Sequence, residues 1–222
     1  MNFLSIFDVI GPNMIGPSSS HTAGAVSIAL MARNLFSEEI KEVTFTLYGS
    51  FAKTYRGHGT DRALLGGILG FSTYDERIRN AFAHAKEMGV SYKYIIDEQT
   101  VTSHPNTADI HLIGKSGRKM SVRGESTGGG KMKIVRIDGI DVEFTGEYST
   151  LIVKQFDKPG VVAHITQSLS EQDVNIAFMR LFREDKGATA YTIVESDETI
   201  PAQVLERIRT NKNVSNLVLI QI

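Results

Sequence analysis

The sequence predicts an α/β (α+β) chain of two units, a mixed unit over residues 1–146 and a smaller one over 149–222. Three observations predict it. Short runs that alternate β-branched and polar residues are interleaved with stretches of helical apolar spacing. The pattern changes at Ser149, just past Gly146. The remaining residues then supply a complete series in the order βαββαβ. With 222 residues, each unit is long enough to bury its own core.

Taken in order, Phe3, Ile6 and Phe7 predict a helix over Asn2–Val9, stopped by Gly11–Pro12. One of Ser18, Ser19 and Ser20 caps a second helix, whose apolar face carries Ala25, Ile28, Ala29, Ala32 and Leu35. Lys41–Leu47 reads as a strand entering a loop at Tyr48–Gly49–Ser50. Helices are expected over Asp61–Gly70 and Asp75–Met88, with Gly89 ending the second. Strands follow at Tyr92–Ile96, Asp109–Ile113 and Arg118–Arg123. Gly124–Gly130 reads as a glycine-rich turn before strands at Lys133–Ile137 and Val142–Phe144, joined by Asp138–Gly139.

In the second unit an alternating strand, Ser149–Phe156, turns at Asp157–Gly160 into a helix over Val161–Gln172. Val162, Ile165 and Leu169 form its inward stripe. Strands are expected at Asn175–Phe182 and Ala188–Glu195. A helix over Ala202–Arg209 has Pro201 in its first turn, and Val214–Ile222 ends the series. This is a split βαβ, ferredoxin-like order.

Composition excludes several function classes. The formal net charge of -1 leaves no electrostatic footprint for nucleic acid or an anionic membrane. No apolar run approaches the ~20 residues that span a bilayer. The N-terminus lacks the basic start of a signal peptide, so a cytoplasmic location is expected. Cysteine is absent, which removes disulfides, thiolate nucleophiles and cysteine-ligated zinc or iron–sulfur centres from this chain. No His/Asp/Glu cluster has metal-ligand spacing, so no metal site is expected here. Nor is Gly124–Lys131 a phosphate loop, because five residues separate Gly124 from Gly130 and Met132 follows Lys131.

The candidate chemistry lies in polar loops. Ser18–Ser19–Ser20 places three hydroxyls beside a helix start, suited to a carboxylate, and His21 adds a titratable imidazole. Capping needs only one of those serines. His104–Pro105–Asn106 sets an imidazole and an amide on one stiff turn, and by itself reads more readily as a structural turn than as a site. In Gly57–His58–Gly59–Thr60–Asp61 the glycines permit close backbone approach, while Thr60 or Asp61 can cap the following helix. His84, His111 and His164 have no evident partner in the sequence.

The stretch Met14–Gly24, containing GPSSSHT, resembles the signature of the iron–sulfur L-serine dehydratases. Tyr48–Ala52, Gly57–Ala63, His104–Thr107 and Glu125–Gly130 agree with that family. The segment VKQFDKPGVVAHITQSLSEQDVNIAFMRLFR resembles an ACT domain. Together the resemblances cover essentially the whole chain, without the cysteine-bearing half of single-chain members, so they point to the beta chain of the two-chain form. They imply an N-terminal domain like an allosteric substrate-binding domain and an ACT domain over 149–222. They further imply L-serine as substrate and a [4Fe–4S] cluster held by a cysteine-bearing alpha chain, with potassium a further candidate cofactor. His21 and His104, supported by Thr22 and Asn106, are then the expected catalytic groups, and Ser18, Ser19, Ser20 and His58 the expected substrate-binding groups. Asp157, Gly160, Val161 and Asn175 would bind an amino-acid effector, in an ACT domain expected to pair as a dimer. Two other function classes fit the same residues: a non-catalytic regulatory or assembly subunit that senses L-serine, and a free-standing amino-acid sensor.

Overall fold

The computed structural model describes residues 13–221; the helix expected over Asn2–Val9 lies outside them. The chain divides into two compact units, Met1–Gly139 and Ile140–Ile222.

In the first unit, a wide π-type turn over Ser19–Ala23 runs directly into α1 (Gly24–Phe36). Ser18 is the cap, its Oγ accepting from the His21 backbone N–H at 3.1 Å. β1 (Ile40–Tyr48) is central, with Phe45 and Leu47 fully buried. Where a loop was expected after Tyr48, the chain makes a short helix, α2 (Gly49–Thr54). α3 (Thr60–Leu69) packs closely on α1, and a Cβ on Gly67 would lie 2.6 Å from the Val26 carbonyl oxygen.

The single helix expected over Asp75–Met88 is broken. A 3₁₀ turn over Glu76–Asn80 precedes α4 (Ala81–Glu87). Asp75 accepts from both the backbone and the side chain of Arg77, which tightens this first turn. Gly89, at φ +69°, ends α4 as expected.

β2 (Ser91–Asp97) returns parallel to β1, a pairing that requires the crossover supplied by the intervening helices. β3 (Thr107–Gly114), β4 (Lys119–Gly128) and β5 (Lys131–Ile137) continue as an antiparallel meander. The strands of this unit lie in the order β2-β1-β3-β4-β5, and β6 (Ile140–Phe144) is the first strand of the second unit. The glycine-rich turn expected over Gly124–Gly130 shrinks to Gly129–Gly130, because β4 runs through to Gly128. Gly124 serves close packing here: a Cβ would lie 2.3 Å from Cγ2 of Ile28 on α1.

The second unit contains β7 (Ser149–Phe156), α5 (Val161–Ser170), β8 (Phe178–Arg183), β9 (Thr189–Ser196), α6 (Ala202–Arg209) and β10 (Val214–Ile220). Its antiparallel sheet has the order β10-β7-β9-β8, the ferredoxin-like arrangement expected. Leu151, Val153 and Val194 of the sheet pack on Ile165, Leu169, Val204 and Ile208 of the helices. Each such side chain contributes about 1.5–3 kcal/mol of burial. β8 begins at Phe178 rather than Asn175, whose N–H turns instead to Glu198 Oε2 at 3.1 Å. Among the described residues no helix is long and apolar enough to cross a membrane.

Candidate active site

The polar loops of the first unit converge around His21. Its Nε2 is hydrogen-bonded to Ser50 Oγ at 2.9 Å, and its Nδ1 lies 3.4 Å from Ser18 Oγ. The ring packs edge-on against Phe51 and lies 4.7 Å, centroid to centroid, from the His58 ring. Burial, and then repulsion from His58, hold the His21 pKa below the ordinary histidine value. His21 is therefore neutral at neutral pH and able to accept a proton.

Thr22 is buried and ties two loops together, donating from Oγ1 to the His58 carbonyl at 2.9 Å. Ser19 provides the carbonyl that accepts from the Gly24 N–H. Ser20 provides a carbonyl that accepts from Ser126 Oγ at 2.8 Å. Of the three serines, then, only Ser18 uses its hydroxyl as the cap.

The His104–Asn106 turn is joined to the same centre by two serines. Ser50 N–H donates to the Pro105 carbonyl at 2.7 Å, while its hydroxyl meets His21. Ser126 N–H donates to the Asn106 carbonyl at 2.9 Å, while its hydroxyl reaches Ser20. Within the turn, His104 Nδ1 accepts from the Asn106 N–H at 3.1 Å, so Nδ1 carries no hydrogen and Nε2 bears the ring proton in the neutral form. Thr102 and Thr107 both donate to the His104 carbonyl. Glu125, 3% exposed, accepts from the Ser103 hydroxyl, and Lys133 Nζ lies 3.8 Å from its other oxygen.

Ser50 and Ser126 are the residues that reasoning from the sequence missed. Both lie within quoted segments, but only long-range hydrogen bonds reveal their bridging geometry. Gly49 makes the first bridge possible: it sits at φ +52°, and a Cβ there would lie 2.6 Å from the Pro105 oxygen.

The turn in the second unit is organised differently. Asp157 Oδ2 already accepts from the Gly187 N–H at 3.1 Å and from Arg183 at 3.2 Å, which holds its carboxyl below the usual range. Gly160, at φ +88°, is the N-cap of α5 and offers no side-chain cap, and Val161 is buried in the core. Asn175 is exposed at the entry to β8. Two further histidines take plain structural roles: His84 Nδ1 pairs with Glu87 at 3.1 Å, and His164 Nε2 meets the Arg207 carbonyl at 2.9 Å.

The family model described as serine dehydratase beta chain matches residues 5–135. The chain is 40% identical over 214 residues to the probable L-serine dehydratase beta chain of Bacillus subtilis, covering 96% of each. It is 41% identical over 220 residues to the L-serine dehydratase beta chain of Peptoniphilus asaccharolyticus, covering 96% of this chain and 99% of that one. The chain belongs to the serine dehydratase beta chain family. An ACT domain model matches residues 149–213, the ferredoxin-like unit. L-serine dehydratase 2 of Escherichia coli is 40% identical over 127 residues, which span 50% of this chain but only 28% of that protein. The converging loops Ser18–Thr22, Tyr48–Ser50, Gly57–His58, His104–Asn106 and Glu125–Ser126 all lie within the match to the beta-chain family.

The donor set does not suit an iron–sulfur cluster in this chain. It has no cysteine, and among the described residues no group of three His, Asp or Glu could hold a metal ion.

Proposed function

We propose that this chain is the beta subunit of an L-serine dehydratase, and that it brings proton-transfer and carboxylate-holding groups to a site completed by a cysteine-bearing alpha chain. The observation that carries the reading is the His21–Ser50 hydrogen bond, held between the serine loop and the His104 turn. The names of the two full-length relatives and the short match to a longer dehydratase support the division into two chains.

The reaction removes the α-proton and the β-hydroxyl of L-serine as water, leaving aminoacrylate, which hydrolyses to pyruvate and ammonia. A [4Fe–4S] cluster ligated by the alpha chain would supply Lewis-acid help to the departing hydroxyl. The residues of this chain hold the substrate and move protons. Neutral His21 accepts a proton at Nε2, directly or through Ser50 Oγ, and burial keeps it ready for that below its ordinary pKa. His104 carries its ring hydrogen on Nε2 in a turn braced by Asn106, and serves as a donor for substrate carboxylate or leaving oxygen. The Ser18–Ser20 loop and His58 complete the polar wall, and Thr22 fixes the His58 loop. The ACT domain, with the Asp157–Val161 turn and Asn175, tunes activity by binding an amino acid and pairs with a second copy.

The test is reconstitution of the full chain with its cysteine-bearing partner. Neither chain alone should turn over L-serine, and the complex should. His104→Ala should lower turnover by about 10²-fold or more while the cluster absorbance is retained. Unchanged turnover at saturating L-serine would instead make this a regulatory or assembly subunit.

A further inference from the structure

One buried carboxylate beside the candidate site takes no part in the chemistry described so far. Glu125 is 3% exposed and sits one residue before Ser126 on β4. Gly124 and Ser126 face α1, since a Cβ on Gly124 would meet Ile28 and the Ser126 hydroxyl reaches the Ser20 carbonyl. Alternation along the strand turns Glu125 to the opposite face. There it lies across from Thr107 of β3 and Lys133 of β5. One of its oxygens accepts from the Ser103 hydroxyl, and the other is 3.8 Å from Lys133 Nζ.

Stability alone does not account for a carboxylate in this place. Taking a charge out of water costs several kcal/mol, and apolar side chains of the same volume are commonly as stable as a buried ion pair. At 3.8 Å the Lys133 ammonium is beyond hydrogen-bonding distance, so its attraction recovers only part of that cost. What the carboxylate holds directly is Ser103, the residue before His104. A hydrogen bond to an ionised oxygen is roughly twice as strong as one between neutral groups.

The neighbouring Ser126 N–H donates to the Asn106 carbonyl at 2.9 Å. Two consecutive residues of β4 therefore grip both ends of the turn, at Ser103 and at Asn106. Between those ends the His104 carbonyl accepts from the Thr102 and Thr107 hydroxyls, and its Nδ1 accepts from the Asn106 N–H. The tautomer of the ring thus depends on the shape of the turn, and that shape on its two ends. We infer that Glu125 is the positioning residue of His104. Through Ser103 it fixes the turn in which the Asn106 N–H meets Nδ1, and so keeps the ring proton on Nε2. Its effect on turnover rests on the dehydratase reading, whereas its effect on the ring is read on the chain itself.

The experiment begins with nitrogen NMR of the histidine rings in the full chain, at a pH where His104 is neutral. Glu125→Ala and Ser103→Ala should each draw the two His104 ring-nitrogen resonances together as the tautomers mix, while those of His164 stay in place. Glu125→Gln keeps an acceptor for Ser103 and should restore most of the separation. Lys133→Met removes the cation across the ladder but not the acceptor, and should keep the separation too. In the complex reconstituted with the partner chain, turnover should fall about tenfold or more in Glu125→Ala and in Ser103→Ala. The double variant should fall little further, because both changes remove the same bond. Thermal melts confirm that each variant is folded, and Ser103→Ala keeps the result readable if Glu125→Ala is not. Parent-like His104 nitrogens in Ser103→Ala and Glu125→Ala would overturn the inference. So would a shift in Lys133→Met as large as that in Ser103→Ala, or no recovery in Glu125→Gln. Mixed tautomers with unchanged turnover would uphold the positioning and overturn instead the part given to His104 in dehydration.

Discussion

The serine–histidine loops of the first unit and the Asp157–Gly160 turn of the second both set polar groups beside a helix start, yet they spend those groups differently. Around His21, side chains bridge between distant loops: Ser50 links it to the His104 turn, and Ser126 links Ser20 to Asn106. These bonds fix loop against loop and hold the His21 ring between Ser18 and Ser50. At the second turn, Asp157 is engaged by Gly187 and Arg183 of its own unit. The contrast separates a centre whose polar groups are positioned for chemistry from one whose carboxylate first stabilises a turn. An effector that uses Asp157 must compete with Arg183.

The largest effect that sharpens this contrast is expected at Gly49. Gly49→Ala would force a Cβ against the Pro105 oxygen at a left-handed φ. Displacing the His104 turn by about 1 Å can cost ~10²-fold in rate, so the reconstituted complex should lose turnover on that scale. Near wild-type kinetics would show that the two loops need no fixed spacing. Next in size is Ser126→Ala, which removes the donor to the Ser20 carbonyl from a fully buried position. Denaturant unfolding should show a loss of about 1–3 kcal/mol, and no change would mean that water replaces the bridge.

A smaller change is expected from Asp157→Ala. The thermal midpoint should fall by less than in Ser126→Ala, with basal turnover at saturating L-serine preserved. Because its folded pKa is depressed, the contribution of Asp157 is present above its unfolded value near 3.8 and lost as the pH falls through the folded value. At a pH below both values, the variant and the parent should therefore melt alike. The smallest effect concerns His21. Its folded pKa lies below the ordinary histidine value of 6.5, so the unfolded chain binds more protons in the window just below that pH. Stability should fall with acidification through this window, and His21→Gln should flatten the fall; an unaltered slope would contradict the buried, neutral His21.

Much of the architecture was legible in the sequence. Strand alternation located β1, β3, β5, β7 and β9, and Gly89 marked a helix end by its left-handed backbone. The ferredoxin-like order followed from pattern alone. The departures have local causes. The Asp75–Arg77 pairing tightened a helix start into a 3₁₀ turn, and Gly124 stayed in its strand because Ile28 fills the space beside it. Of the candidate site, the histidines and the serine loop could be named from their motifs. Their assembly could not. Ser50 lies 29 residues from His21, and Ser126 lies 106 residues from Ser20; neither spacing leaves a periodic trace.

The most direct test of the central claim is turnover by the His21→Ala complex at saturating L-serine, with the assembly and its cluster absorbance verified intact. A loss of about 10²–10⁴-fold, the usual contribution of a positioned acid–base group, is the predicted result. Turnover within about twofold of the parent, well inside the ~0.6 kcal/mol of thermal energy, would contradict it and return all of the chemistry to the partner chain.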